Sequence, residues 1–133
     1  MASKWQILML DQDSHYAASL SPFLQARLGH IYHASSEAQA VEILNTQQID
    51  LLLLDVMLSE PDGGLRFCRR IKAGNGFVNL PVFFLSSADE RFGLNIKDRL
   101  TEPEYCPAQG FLDKSAQPSQ ISEQLEKFLK AQR

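Results

Sequence analysis

Residues 50–58 read DLLLLDVML. Four leucines in succession, at 51–54, leave no alternation of apolar and polar positions. Such a run suits a strand covered on both faces, at the centre of a parallel sheet, better than a strand with one wet face. An aspartate, Asp55, closes it.

Upstream, residues 5–10 (WQILML) form a second short apolar run that also reads as a central strand. Further runs at 31–34, 82–85 and 110–112 bring the number of predicted strands to five. Segments with helical spacing lie between them. Tyr16, Leu20, Leu24 and Leu28 mark the first, Ala38, Val41 and Leu44 the second, and Leu65, Cys68 and Ile71 the third. A fourth, over 88–100, places Phe92, Ile96 and Leu100 on one stripe, although Gly93 weakens it. Pro118 is placed to open a last helix with Ile121, Leu125, Phe128 and Leu129 on one face. Pro22 falls inside the first helical segment and predicts a kink there, or a restart at Ser21. The prolines at 103 and 107 predict a loop over 101–107. Strands alternating with helices imply parallel pairing through right-handed crossovers, with helices on both faces of the sheet. The class is α/β, doubly wound.

With 133 residues, one domain spanning 1–133 is expected. Thirteen Lys plus Arg stand against 16 Asp plus Glu, a net charge of -3, and 44% of residues are hydrophobic. That balance offers no general attraction to nucleic acid or anionic membranes. The densest basic cluster, Arg66, Arg69, Arg70 and Lys72, fits a solvated helix face. No apolar stretch approaches the roughly 18 residues of a membrane span, and no secretory leader is visible. Cys68 and Cys106 have neither disulfide-framework nor zinc spacing, which points to a reducing cytoplasmic setting, with Cys68 in the core. His15, His30 and His33 share no convincing metal-ligand spacing.

In an open α/β sheet, ligands gather at the carboxyl ends of the strands. The residues there are Asp11, Gln12 and Asp13 after the first strand, Asp55 after the third, Ser86 and Ser87 after the fourth, and Asp113 and Lys114 after the fifth. Carboxylates facing each other across a crevice repel unless a cation joins them. Mg2+ suits such a place, since it accepts one or two carboxylates, several waters and a phosphate oxygen. A hydroxyl and a lysine on neighbouring strands would then meet the oxygens of a phosphoryl group carried by an aspartate.

At this point the chain resembles the receiver domain of two-component response regulators across nearly its whole length. The resemblance rests on ILMLDQD at 7–13, DLLLLDVML at 50–58 followed by Pro61, Asp62, Gly63 and Gly64, PVFFLSS at 81–87, and GFLDK at 110–114. It implies a five-stranded sheet in the flavodoxin-like order 2-1-3-4-5. By the same resemblance Asp55 looks like the phosphoacceptor and Ser86 the switch hydroxyl. Lys114 looks like the family's lysine and Phe111 the aromatic switch residue. Asp11 and Asp55 would hold Mg2+ with the backbone carbonyl of Met57, and Gln12 or Asp13 are further candidates. The implied function is a signalling switch rather than an enzyme acting on an outside substrate. It would take a phosphoryl group from a sensor histidine kinase or phosphotransfer protein. Reorientation of Ser86 and Phe111 would then signal to an output protein through the face made by the fourth helical segment, the last strand and the last helix.

The chain departs from the family pattern at several places. Gln12 stands where a second acid is usual, and Ser115 and Ser59 replace prolines. The interval from Ser86 to Lys114 is several residues longer than the norm. Two other readings therefore accompany the first. A degenerate receiver would bind a protein partner without phosphorylation. A phosphohydrolase of the haloacid dehalogenase type would use Asp11 as nucleophile and Asp13 as acid and base, since Asp11-x-Asp13 resembles its first motif.

Overall fold

Side chains alternate faces along a strand, so adjacent leucines at 51–54 must face two different cores, and in the computed structural model they do. The model describes residues 5–56, 58, 63–74, 76–86 and 108–132. Five parallel strands, β1 (Trp5–Leu10), β2 (Gly29–Ala34), β3 (Leu51–Asp55), β4 (Val82–Ser86) and β5 (Gly110–Asp113), lie in the order β2-β1-β3-β4-β5. Among the described residues four helices accompany them: α1 (Ser14–Arg27), α2 (Glu37–Thr46), α3 (Gly63–Gly74) and α4 (Pro118–Ala131). The expected α/β doubly wound architecture and strand order are both present.

Leu52 and Leu54 join Leu8, Leu10, Val82 and Phe84 beneath Ala40 and Leu44 of α2 and Leu65, Cys68 and Ile71 of α3. Leu51 and Leu53 join Ile7, Met9, Phe83 and Leu85 beneath Ala17, Leu20 and Leu24 of α1 and Ile121, Leu125 and Leu129 of α4. Burying each such side chain contributes about 1.5–3 kcal/mol, so the two cores are the principal source of stability. Across the second face, Arg27 of α1 pairs with Glu126 of α4 at 3.1 Å.

Three local expectations are corrected. α1 runs unbroken through Pro22, so no restart occurs at Ser21. Leu20 and Leu24 are both buried and hold one register, while Ala18 and Pro22 face outward, where solvent can serve the carbonyl that loses its donor. β2 begins two residues earlier than its apolar run, at Gly29, because Gly29 and His30 pair with Trp5 and Gln6. Gly29 has φ +138°, a conformation open to glycine. The basic cluster on α3 divides: Arg66, Arg69 and Arg70 are exposed, but Lys72 is buried. Lys72 follows Leu65 and Cys68 at helical spacing, so its stem lies on the packed face. The predicted segments 88–100 and 101–107, and with them Ser87 and Cys106, lie outside the described residues.

Candidate functional site

Parallel register brings the ends of β1, β3, β4 and β5 to one edge of the sheet. Asp11 follows β1 directly, its N–H donating to the Ala34 carbonyl at 3.1 Å, which extends the β1–β2 ladder by one bond. His33 on β2 donates from Nε2 to the Asp11 carbonyl at 3.0 Å. The Asp11 side chain is wholly buried, and its Oδ1 accepts the Asp13 N–H at 2.8 Å. Asp13 is the N-cap of α1: its Oδ1 accepts from the N–H groups of His15 and Tyr16, both at 3.1 Å. Gln12, between them, is exposed.

Asp55 ends β3 and is almost fully buried. The chain beyond it is held closely: Val56 donates to the Leu85 carbonyl at 3.1 Å, and Gly64 donates to the Val56 carbonyl at 2.7 Å. These bonds draw the first turn of α3 against the end of β3. Glycines at 63 and 64 permit that approach, since a Cβ on Gly63 would overlap the Leu58 carbonyl oxygen and one on Gly64 the Asp55 carbonyl oxygen. Met57 lies outside the described residues.

Ser86 ends β4, fully buried, and its carbonyl accepts the Lys114 N–H at 3.0 Å. That bond continues the β4–β5 ladder and fixes where the lysine side chain starts. Lys114 Nζ then lies 3.1 Å from Oδ2 of Asp11 and 3.3 Å from Oδ2 of Asp55. One ammonium thus bridges two buried carboxylates, which would otherwise repel. Ser115, where the family usually has proline, supplies an N–H that proline lacks: it donates to Asp113 Oδ1 at 2.8 Å, as does its hydroxyl. Phe111 is half-buried against the core on the α2 and α3 face.

The Tyr16 ring lies under the ammonium, with Lys114 Nζ 5.0 Å from its centroid. Burial first, then the carboxylates of Asp11, Asp113 and Asp55, push the Tyr16 phenol well above its usual pKa, so it remains protonated. Sequence reasoning placed Tyr16 on an apolar stripe and missed this contact. The available signal was its position three residues after a capping aspartate, which puts it in the first turn beside the strand ends. Among the described residues, the buried Tyr16 OH and Ser86 Oγ take no hydrogen bond, and the buried Asp11 Oδ2 is met by the Lys114 ammonium as an ion pair at 3.1 Å. All three belong to this edge of the sheet.

Among the described residues no three His, Cys, Asp or Glu side chains gather as a closed metal cage. The two converging carboxylates fit Mg2+, which keeps several waters and needs few protein oxygens. Asp11 Oδ2, the ion-pair partner of the Lys114 ammonium at 3.1 Å, accepts no hydrogen bond from a neutral donor among the described residues and keeps lone pairs for such an ion.

A five-stranded doubly wound sheet in the order 2-1-3-4-5, with buried acids and a lysine at its carboxyl edge, defines the class of small flavodoxin-like α/β proteins. Within that class the assignment is specific: residues 7–126 match the family model of the response regulator receiver domain, and the chain belongs to that family. It is 26% identical over 105 residues to the nisin biosynthesis regulatory protein NisR of Lactococcus lactis, a match covering 74% of this chain and 44% of that protein. The chain therefore spans less than half the length of this curated relative. The signal receiver domain of a signal transduction histidine kinase from Syntrophus aciditrophicus has the same fold, with a TM-score of 0.76 and 21% identity over 96% of this chain and 92% of that one. A CheY-like response regulator receiver domain from Methanospirillum hungatei gives 0.71 and 18%, covering 98% and 97%. Receiver domains bind Mg2+ at an acidic pocket and interact with histidine kinases and output domains. No helix among the described residues is long and apolar enough to cross a membrane.

Proposed function

We propose that this receiver domain, acting as one unit over residues 1–133, is a cytoplasmic phosphorylation switch whose phosphoacceptor is Asp55. The observation that carries the reading is the convergence of Asp11 and Asp55 on Lys114, at 3.1 and 3.3 Å. A carboxylate oxygen of Asp55 attacks the phosphorus of a phosphohistidine on a sensor kinase or phosphotransfer protein. The P–O bond forms as the P–N bond breaks, and the electron pair returns to the histidine ring. Lys114, already against the Asp55 carboxylate, follows the charge onto the phosphoryl oxygens. The buried Ser86 hydroxyl, which takes no hydrogen bond among the described residues, donates to another of them.

Asp11, Asp55 and the backbone carbonyl of Met57 would hold Mg2+, with Gln12 contributing a neutral oxygen. Asp13 has one carboxylate oxygen committed to the helix cap. When bound, the ion neutralises charge on the transferring group. Movement of Ser86 toward the phosphoryl group and of Phe111 behind it then alters the surface around β5 and α4 that an output protein reads.

Incubation with acetyl phosphate and Mg2+, followed by intact-mass measurement, tests the reading. One added phosphoryl mass, abolished by Asp55→Asn, is expected. Label on Asp11 would instead favour the phosphohydrolase. The exposed Gln12 in place of an acid favours the phosphorylation-independent binding module as the second reading, and no added mass under any donor would establish it over the first.

A further inference from the structure

The contacts around Lys114 form a closed circuit. Asp11 Oδ1 accepts from Asp13 N–H at 2.8 Å, and Asp13 Oδ1 accepts from Tyr16 N–H at 3.1 Å. The Tyr16 ring lies 5.0 Å from the Lys114 ammonium, which returns to Asp11 Oδ2 at 3.1 Å. One buried carboxylate therefore positions the lysine twice, directly through charge and indirectly through the helix cap that sets the ring.

A lysine on a four-carbon stem is a mobile point charge, and phosphorylation of Asp55 would change the charge it faces there. The ring supplies a hold that does not depend on the state of Asp55. A cation over a partly buried aromatic face is attracted by the ring's quadrupole, more strongly where water is excluded. Lys114 is only 13% exposed. Among the described residues the phenol oxygen takes no hydrogen bond, so the ring rather than the hydroxyl makes the contact with the site.

We propose that Tyr16 is a positioning residue for Lys114, its ring keeping the ammonium at the mouth between Asp11 and Asp55 before and after phosphoryl transfer. The inference rests on the reading of Asp55 as phosphoacceptor, and its consequence is specific to the aromatic face. An aliphatic side chain offers no quadrupole, whereas phenylalanine retains both the ring and nearly the full volume.

The test compares wild type with Tyr16→Leu and Tyr16→Phe. Phosphorylation of Asp55 by acetyl phosphate with Mg2+ is followed by intact mass, and the Lys114 side-chain methylene resonances are followed by NMR. Leucine should slow phosphorylation by about five- to tenfold, and phenylalanine should restore it to within about twofold of wild type. The Lys114 resonances should carry an upfield ring-current shift in wild type and Tyr16→Phe and lose it in Tyr16→Leu. Equal rates in all three proteins, or an equal loss in both variants, would overturn the proposal, as would Lys114 resonances indifferent to the ring. If wild type takes no phosphoryl group, the assignment of Asp55 fails, while the resonances still decide whether the ring holds the lysine.

Discussion

Gly64 lies so close to Asp55 that a Cβ added to it would overlap the Asp55 carbonyl oxygen and stand 2.9 Å from the carbonyl carbon. The bare backbone at this point lets α3 begin against the end of β3, so the helix start and the candidate phosphoacceptor share one position in space. Gly64→Ala should therefore cost about 3 kcal/mol, at the upper end for overpacking, because the atom met is backbone and cannot swing aside. Urea unfolding would measure it, and an unchanged midpoint would mean that the turn before α3 relaxes freely.

Removing the cation between two buried carboxylates leaves their charges facing one another. Lys114→Met should destabilise by about 3 kcal/mol, and adding Asp55→Asn should recover a large part of that loss. Chemical denaturation of the two single variants and the double variant forms the cycle that checks it. Simple additivity would show that the three groups do not share one electrostatic site.

Asp13 satisfies two N–H groups in the first turn of α1. Asp13→Ala should cost about 1 kcal/mol, and Asp13→Asn much less, since the amide oxygen can still accept. Thermal melts by circular dichroism would rank the three proteins.

Tyr16 remains protonated in the folded chain at pH values where the unfolded chain has begun to ionise. Above a pH of about 10 the unfolded state binds fewer protons than the folded one, so stability falls as pH rises, by about 1.4 kcal/mol per unit for one such group. Tyr16→Phe should flatten that alkaline slope relative to wild type and leave the slope at neutral pH unchanged. Denaturant midpoints between pH 8 and pH 11 would read the difference.

Gln12 presents a dipole where a second acid is usual. Gln12→Asp should tighten Mg2+ binding about tenfold by calorimetry, a discounted share of the attraction between full charges at contact distance, because the position is exposed and screened. Equal affinities would place residue 12 outside the metal shell.

Much of the architecture was legible in order along the chain. The leucines at 51–54 announce a strand with two covered faces, and in the folded molecule they divide between the two cores. Leu65, Cys68 and Ile71 are all buried, as their spacing predicts. Phe67 and Lys72, interleaved with exposed arginines, were not read as packed, because a helix face wider than one stripe cannot be told from solvated surface without knowing what lies beneath it. Pro22 does not restart the helix at Ser21, since it lies on the side of α1 that faces solvent.

The same division holds at the site. The amino-acid sequence by itself determined the alternation of strands and helices and which polar residues stand at each strand end, because periodicity and chain order are local properties. Tertiary structure alone decided that Lys114 bridges Asp11 and Asp55 and that the Tyr16 ring underlies the ammonium. Those contacts join residues up to 103 positions apart, from Asp11 to Lys114. They follow from parallel register and the order β2-β1-β3-β4-β5, which bring the ends of separate strands to one edge. Charge and packing act through space, and no spacing along the chain encodes a distance across a sheet.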